Sequence, residues 1–230
     1  MKINMIKCIT FDLDDTLWSI KPVISKAEIR FHEWLKINYP IIYQNFSIEQ
    51  MREFVKKTSY DNPSIKHDLT KVRIQAYNNL KNIYKLEDAM PENAFQYFMK
   101  YRNKVTLFDN VEKVLNILKN KYLIGTITNG NASLETIGIK NYFDFEVKAS
   151  EVGHMKPRKE IFEAVMGIAK CTPSEIIHVG DSYEKDIIGA ISVNMNYIWI
   201  NHNNEPEKKA NKKYIIKNFN EITEVLEKFK

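Results

Sequence analysis

The sequence has little of what marks secreted, fibrous or membrane-spanning proteins. Its two cysteines, Cys8 and Cys171, lack the spacing of a metal site, so we expect two reduced thiols in a cytoplasmic protein. No apolar run approaches the ~20 residues that span a bilayer. Residues 1–7 lack the apolar segment of a signal peptide, and no internal repeat is present. These absences predict one large globular domain, or a domain with an insert, that has no membrane association.

The chain also lacks an excess of one charge over a long stretch. Its formal net charge is +5, from 34 basic and 29 acidic residues. Residues 17–104 carry 15 Lys and Arg against 9 Asp and Glu, whereas the remainder carries 19 against 20. The interleaved signs argue against a nucleic-acid-binding surface. The local excess fits either a solvated helical surface or the attraction of an anionic small molecule.

What is present is a cluster of carboxylates directly after an apolar run. The run 6–10 predicts a buried strand, and it leads into Phe11-Asp12-Leu13-Asp14-Asp15-Thr16-Leu17. Asp12 and Asp14 would share one face of a continuing strand, where like charges repel unless a cation or a proton lies between them. Taken alone, the stretch fits a solvated turn equally well.

Strand and helix patterns alternate in the second half of the chain, which predicts an α/β fold with right-handed βαβ units and a parallel sheet. The predicted strands are 6–10, 122–128, 143–147, 176–179 and 197–200, and the predicted helices are 109–119, 159–169, 184–193 and 220–229.

Between the first two strands, four helical patterns follow one another without a strand. They cover 23–37, a stretch after the capping box Ser47–Gln50, 69–86 and 91–101. We therefore predict a Rossmann-like α/β domain from 1–16 and 105–230, with an inserted all-α helical subdomain at 17–104.

Several strands of the predicted sheet end in chemically useful residues. Asp12 and Asp14 follow the first strand, Thr128 and Asn129 end the second, and Asp181 follows the third. Because the carboxyl ends of parallel strands meet at one edge of the sheet, we expect these groups to converge. Carboxylate oxygens suit Mg²⁺ better than Zn²⁺. Thr128, the adjacent backbone N–H groups and Lys156 would provide donors and charge for phosphate oxygens.

These motifs, in this order, resemble the haloacid dehalogenase (HAD) superfamily of phosphohydrolases. Phe11–Thr16 matches its first motif, Thr128-Asn129-Gly130 its second, Lys156-Pro157 its third, and Gly180-Asp181 with Asp186 its fourth. The helical insert resembles the cap that members of this superfamily carry after the first motif.

The resemblance implies a role for each matching residue. Asp12 would be the nucleophile that forms an aspartyl-phosphate, and Asp14 would be the general acid and then the general base. Mg²⁺ would be held by the Asp12 and Asp181 carboxylates and the Asp14 carbonyl oxygen. Thr128, Asn129 and Lys156 would stabilise the transferring phosphoryl group. Asp186 would orient the lysine or a metal-bound water.

The chain further resembles the flavin mononucleotide phosphatase branch, which is also linked to 5-amino-6-(5-phospho-D-ribitylamino)uracil dephosphorylation. This resemblance rests on the stretches 14–18, 21–24, 67–73, 127–132 and 142–143. It implies that His67, Asp68 and Arg73 shape a substrate pocket. Trp18, Phe31 and Trp34 could stack a ligand ring. For these residues, ordinary helix-start and core positions fit the pattern as well.

We therefore expect a Mg²⁺-dependent phosphomonoesterase, monomeric or homodimeric, that acts on a small phosphorylated metabolite. Flavin mononucleotide, the ribitylaminouracil phosphate, a nucleoside monophosphate and a sugar phosphate all remain open as substrates. Hydrolytic dehalogenation is disfavoured because that reaction needs neither the general acid Asp14 nor a metal ligand at Asp181. A catalytically inactive phosphate-binding protein is disfavoured because the whole motif set is intact.

Overall fold

The structure is a computed structural model in which residues 5–202 and 214–229 are described. The chain divides into two compact units. The first is built from the N-terminal part through Ser19, from Thr106–Gly130 and from Gly138 onward, and the second from Ile20–Val105 and Asn131–Ile137.

The first unit contains a parallel sheet whose strands, within the described residues, lie in the order β3-β2-β1-β4-β5-β6. The strands are β1 (Cys8–Phe11), β2 (Leu123–Thr128), β3 (Phe145–Lys148), β4 (Ile176–Gly180), β5 (Asn196–Ile200) and β6 (Ile215–Ile216). This is the strand order of doubly wound nucleotide-binding sheets. The predicted Rossmann-like α/β fold is confirmed.

Helices flank the sheet strands in the sequence of the first unit. They are α6 (Val111–Lys119), α8 (Ala149–Val152), α9 (Lys159–Ala169), α10 (Ile188–Ser192) and α11 (Ile222–Leu226). All residues of β1 and β4 are buried, as expected for parallel strands covered on both faces. The continuous apolar runs that predicted these strands therefore reflect burial on both faces.

The register brings the carboxyl ends of the central strands together. Phe11, the last residue of β1, pairs with Thr126 of β2 and with Val179 of β4. The backbone N–H of Asp12 donates to the Val179 carbonyl at 2.9 Å. Residues that follow these three strands therefore emerge at the same edge of the sheet.

The second unit is helical. Its helices are α1 (Ile20–Asn38), α2 (Pro40–Asn45), α3 (Ile48–Asp61), α4 (Leu69–Tyr84), α5 (Met90–Arg102) and α7 (Leu134–Ile137). Ser47 forms the predicted capping box with Gln50 at the start of α3. The core includes Phe31, Leu35, Tyr77, Leu80 and Phe98, all nearly or fully buried.

The structure differs from the sequence prediction in several short elements. The pattern did not predict α2, α7, α8 or β6, each of six residues or fewer, because so short a segment shows no clear periodicity. The predicted helix 184–193 begins as a π-helical turn, Tyr183–Ile187, and only then continues as α10. Among the described residues, every helix is too short or too polar to cross a bilayer.

The segment Asn131–Ile137 contacts the helical unit, although the sequence boundaries placed it with the sheet domain. Its Asn131 side chain donates to the Thr70 hydroxyl at 3.3 Å, and the backbone N–H of Ser133 donates to Asn103 Oδ1 at 2.9 Å. Both partners belong to the second unit. These polar contacts have no counterpart in a hydrophobic pattern, so the sequence did not indicate them.

Candidate active site

A buried lysine joins two carboxylates at the carboxyl edge of the sheet. Lys156 Nζ donates to Asp12 Oδ1 at 2.6 Å, to Asp186 Oδ1 at 2.6 Å and to the Ile127 carbonyl at 2.9 Å. The three donors of its ammonium group are thus all used. The lysine is 4% exposed, Asp12 is 9% exposed and Asp186 is fully buried.

The two carboxyl groups that share the Lys156 ammonium differ in pKa. Burial by itself lowers the pKa of Lys156, but the two carboxylates raise it above its usual value, so the lysine stays charged. Burial raises the pKa of Asp12 to about 8 despite the lysine. Burial also favours the neutral form of Asp186, but Lys156 and His178 outweigh it and hold the pKa of Asp186 far below its usual range. Asp186 is therefore ionised more readily than Asp12.

His178 of β4 supports Asp186 from inside the sheet. Its Nε2 lies 3.1 Å from Asp186 Oδ1, and its Nδ1 lies 3.0 Å from the Thr10 hydroxyl. Because an ionised carboxylate only accepts, Nε2 carries the proton and Nδ1 accepts from Thr10. The other carboxylate oxygen, Asp186 Oδ2, accepts from the backbone N–H of Ser182 at 3.0 Å. These contacts fix the carboxylate that in turn holds Lys156.

Gly180 allows this arrangement because Asp186 packs directly against it. A Cβ at Gly180 would lie 2.4 Å from Asp186 Cγ. We expect Gly180→Ala to displace Asp186 and to lower the free energy of unfolding by about 1–3 kcal/mol, as overpacking does. In α9, a Cβ added at Gly167 would meet nothing within 4 Å, so Gly167→Ala should stabilise by about 0.5–1 kcal/mol. Urea unfolding of the two variants measures both effects, and equal changes would contradict the packing argument.

Asp14 lies in a tight turn that follows β1. Trp18 Nε1 donates to Asp14 Oδ1 at 2.9 Å, and the backbone N–H of Asp15 donates to the Trp18 carbonyl at 2.7 Å. Asp15 has a φ of 59°, a left-handed conformation that Asp tolerates better than most residues. Trp18 is fully buried and offers no face for ring stacking, so the structure assigns it the positioning of Asp14.

The second and third motifs are joined by a reciprocal amide pairing. Asn129 Oδ1 accepts from the Lys156 backbone N–H at 2.7 Å, and Asn129 Nδ2 donates to the Lys156 carbonyl at 3.1 Å. Both ends of the Asn129 side chain are therefore engaged with the backbone before Pro157. The Thr128 hydroxyl accepts from the backbone N–H of Gly130 at 2.9 Å, which leaves its own proton available as a donor.

Three carboxylates form a cluster suited to a divalent cation. Oxygens of Asp12, Asp181 and Asp186 all lie within 4.8 Å of one another. Burial raises the pKa of Asp181 to about 7, with further contributions from Asp186 and Asp15, and the Thr16 hydroxyl donates to Asp181 Oδ1 at 3.3 Å. An all-oxygen set of crowded carboxylates fits Mg²⁺. Asp12 and Asp181 are the better candidate ligands, because both oxygens of Asp186 already accept hydrogen bonds, Oδ1 from Lys156 and His178 and Oδ2 from the Ser182 backbone N–H.

A sequence profile described as haloacid dehalogenase-like hydrolase matches residues 6–194. This chain belongs to that family. The superfamily resemblance predicted from the four motifs is therefore confirmed, and with it the prediction that the chain is an enzyme.

Two phosphatases are similar in sequence to this HAD-family hydrolase over most of its length. The 5-amino-6-(5-phospho-D-ribitylamino)uracil phosphatase YigB of Escherichia coli (strain K12) is 30% identical over 208 residues, 88% of this chain and 86% of YigB. The glyceraldehyde 3-phosphate phosphatase of Methanothermobacter thermautotrophicus is 28% identical over 209 residues, 86% of each chain. The similarity to YigB confirms the predicted branch.

A solved structure resembles the HAD-family fold seen here throughout its length. The 2-haloacid dehalogenase from Pseudomonas syringae pv. Tomato DC3000 has a TM-score of 0.92 and 31% identity, and the match covers 98% of this chain and 100% of that one. Both phosphatase and dehalogenase names therefore occur among the similar proteins, so the site chemistry has to decide between them.

The helical unit of the HAD-family chain contains the predicted pocket-shaping residues in ordinary structural positions. Asp68 is buried and caps α4, accepting from the Lys71 backbone N–H at 3.0 Å. His67 is half-buried in the preceding turn. Phe31 stacks on Tyr77 with ring centroids 5.1 Å apart, within the helical core. The remaining predicted pocket residues are Arg73, over the Phe98 ring, and Trp34, against the Phe31 ring.

Two supporting contacts of this HAD-family site were not predicted from the sequence: Thr16 was not singled out, and Trp18 was expected to stack on a ligand ring. Thr16 holds Asp181 through its hydroxyl, and Trp18 holds Asp14 through its indole. Thr16 lies two residues after Asp14, and its place in the first motif was the available signal. For Trp18, the signal for this contact was Asp14, four residues earlier, because a buried indole N–H needs an acceptor.

The buried carboxylates predict how pH and Mg²⁺ affect stability. The pKa values of Asp12 and Asp181, about 8 and about 7, lie above their ordinary 3.8. Between about pH 4 and about pH 8 the folded state therefore binds more protons than the unfolded state does. The free energy of unfolding consequently falls as the pH rises from about 4 to about 8. A Mg²⁺ ion at this cluster would bind the ionised groups, so we expect Mg²⁺ to raise the melting temperature more at pH 8 than at pH 5.5.

Thermal melts with Mg²⁺ and with EDTA at both pH values check this prediction. Asp181→Asn should reduce the rise in melting temperature that Mg²⁺ causes. Asp109→Asn, which changes an exposed aspartate outside the cluster, should not reduce it. A larger Mg²⁺ effect at pH 5.5 would contradict the assignment of the cluster.

Proposed function

We propose that this HAD-family phosphatase hydrolyses the phosphomonoester of a small metabolite through an aspartyl-phosphate on Asp12, with Mg²⁺ as cofactor. The observation that carries the proposal is the shared Lys156 ammonium, 2.6 Å from both Asp12 and Asp186. A charge held at the nucleophile can stabilise a phosphoryl group that arrives there. This arrangement suits an anionic substrate.

The residues divide the reaction into two displacements. The Asp12 carboxylate attacks phosphorus, and the bond to the alcohol oxygen breaks while Asp14 gives that oxygen a proton. Asp14 then takes a proton from a water molecule, which attacks the phosphorus and returns Asp12 with release of inorganic phosphate. Trp18 fixes the orientation of the Asp14 carboxyl group through its hydrogen bond to Oδ1. When bound at Asp12 and Asp181, Mg²⁺ would neutralise negative charge between nucleophile and phosphate.

The phosphate-binding roles of Thr128, Asn129 and Lys156 belong to the same proposal. The Thr128 hydroxyl has a proton to donate because it already accepts from Gly130. Asn129 contributes its backbone N–H, since its side chain is occupied by Lys156. We also propose that residues 17–104 serve as the cap of a domain formed by 1–16 and 105–230. His67, Asp68 and Arg73 then remain substrate-binding candidates of that cap region, whereas the fully buried Trp18 is proposed only to position Asp14.

The proposed substrate is 5-amino-6-(5-phospho-D-ribitylamino)uracil or flavin mononucleotide. Its support is the similarity to YigB along most of both chains. Similarity to a glyceraldehyde 3-phosphate phosphatase supports a sugar phosphate as the second candidate. We propose a cytoplasmic monomer or homodimer that acts on such a metabolite without nucleic acid or membrane.

Phosphate release from a panel of phosphomonoesters tests this function. The panel contains p-nitrophenyl phosphate, flavin mononucleotide, the ribitylaminouracil phosphate, nucleoside monophosphates and sugar phosphates, each with Mg²⁺ and with EDTA. We expect turnover with Mg²⁺ and at least ~100-fold less with EDTA, since the metal compensates charge in the transition state. Chloride release from 2-chloropropionate without phosphate release would favour a dehalogenase instead.

A further inference from the structure

The helical unit contains a pocket of about 370 Å³, a size within the range of small-molecule sites, ~300–1,000 Å³. The pocket lies among α1, α3, α4 and α5. Its walls include the apolar side chains of Phe31, Leu35, Met51, Val55, Val72 and Phe98. None of the residues proposed above for catalysis, phosphate binding or the metal lines it.

An ion pair connects α1 and α3, two of the helices that line this pocket, which we call the cap pocket. Arg52 of α3 donates from Nε and Nη2 to the Glu28 carboxylate of α1 at 3.0 and 2.6 Å. Both side chains line the cap pocket. Because the guanidinium and the carboxylate satisfy each other in a bidentate pair, neither contributes net charge to a ligand.

Besides Arg52, the pocket is lined by the basic side chains of Lys56 and Arg73. Lys56 Nζ lies 3.6 Å from Glu53 Oε1, so Arg73 is the better candidate to bind an anionic ligand. Its guanidinium carbon lies 3.7 Å from the centroid of the Phe98 ring, and both side chains line the cap pocket. Its hydrogen bond is a long one, 3.5 Å, to the hydroxyl of buried Tyr77. Within 5–202 and 214–229, Arg73 has no carboxylate partner at ion-pair distance. The stacked, half-buried guanidinium therefore keeps donors for an anion.

We propose that the cap pocket binds an apolar carboxylic acid, such as a medium-chain fatty acid. The hydrocarbon body occupies the apolar space among α1, α3 and α4, and the carboxylate pairs with the guanidinium of Arg73. Arg73 is the one residue that this site shares with the substrate-binding candidates named above, and the proposed ligand goes beyond the phosphatase function.

The chemistry of the pocket favours a carboxylate over other head groups. A planar guanidinium whose face is covered by an aromatic ring presents its edge, and a carboxylate matches that edge with two parallel hydrogen bonds. A phosphate dianion would lose more hydration energy on entering apolar surroundings. A neutral alcohol would leave the Arg73 charge without a counter-ion.

Calorimetric titration of the full-length protein with decanoate and with 1-decanol tests the proposal. We expect saturable binding of decanoate at one site. In Arg73→Met, which keeps much of the apolar stem, decanoate affinity should fall by about tenfold or more, and 1-decanol affinity should not change. Arg73→Lys should lose part of the affinity, because the charge remains without the planar fork.

The controls separate the pocket from general effects on the protein. Arg30→Met, an exposed arginine of α1 paired with Glu33, should bind decanoate as the unchanged protein does. Val55→Trp, which fills the cap pocket, should abolish binding of both ligands. Unchanged decanoate affinity in Arg73→Met, equal affinities for decanoate and 1-decanol, or non-saturable uptake would each overturn the proposal. Because p-nitrophenyl phosphatase activity is recorded in parallel, failure of the cap site is distinguishable from failure of the proposed function.

Discussion

Replacing Asp12 by Asn is expected to lower kcat for phosphomonoester hydrolysis by roughly four to six orders of magnitude, as loss of an enzymic nucleophile does. The amide has nearly the shape of the carboxylate but lacks the charged oxygen that would attack phosphorus. The measurement is phosphate release with Mg²⁺ at saturating substrate.

The same substitution should leave the fold intact or stabilise it. Asp12 and Asp186 compete for one lysine, and burial already raises the pKa of Asp12 to about 8. At pH 8 without Mg²⁺, a neutral side chain at position 12 removes an incompletely compensated buried charge. We expect the melting temperature of Asp12→Asn to be equal to or above that of the unchanged protein.

Asp109→Asn is the matched control, because it makes the same chemical change at an exposed position. It should retain full activity. Mass spectrometry of Asp12→Asn must exclude deamidation back to Asp. Activity within tenfold of the unchanged protein, with deamidation excluded, would remove Asp12 as the nucleophile.

The sequence predicted the sheet because its central strands are buried on both faces and read as apolar runs. β1 and β4 are fully buried, and β2 is nearly so. It also predicted the convergence of Asp12, Thr128 and Asp181, since parallel strands end at one edge. Burial and strand direction are both encoded locally, so a single sequence was sufficient for them.

The contacts within the site could not be predicted from the same pattern. Lys156 contacts Asp12, 144 positions away, and Asp186, 30 positions away, and no periodicity indicates such a pairing. The family resemblance alone led us to expect that Asp186 orients the lysine. The π-helical turn that carries Asp186 differs from the regular helix expected at 184–193. The pairing of the Asn129 side chain with the Lys156 backbone was also not indicated by the sequence. These contacts depend on the conformations of the loops that follow the strands, and the spacing of hydrophobic residues does not predict loop conformation.

In the helical unit, too, the sequence predicted the elements but not the contacts between them. The long helices were predicted within a few residues, because each has a repeated apolar face. The role of Asp68 as the cap of α4 was available from the sequence, since Asp is a preferred N-cap residue. The stacking of Arg73 on Phe98 joins two helices and required the packed structure.

Replacing Lys156 by Met is expected to impair both stability and catalysis. The change leaves Asp12 and Asp186 buried without a shared cation, and removing one partner of a buried pair costs about 3–5 kcal/mol. Loss of a charge that stabilises the transferring group should also lower kcat by roughly 10²–10³-fold. Urea unfolding and phosphate release measure the two effects.

The pH dependence of the Lys156→Met variant distinguishes loss of charge compensation from a general packing defect. Without the lysine, the pKa values of both carboxyl groups rise further, so the folded state gains protons as the pH falls. The deficit in unfolding free energy should therefore be largest near pH 8 and smaller near pH 6. Mg²⁺ should stabilise the variant more than the unchanged protein, because the remaining carboxylates are more negative together. Lys159→Met is the control, since that lysine is 65% exposed and 3.6 Å from Glu163. A deficit independent of pH and Mg²⁺ would show that Lys156 only fills space, and the phosphatase mechanism would then lose its central charge.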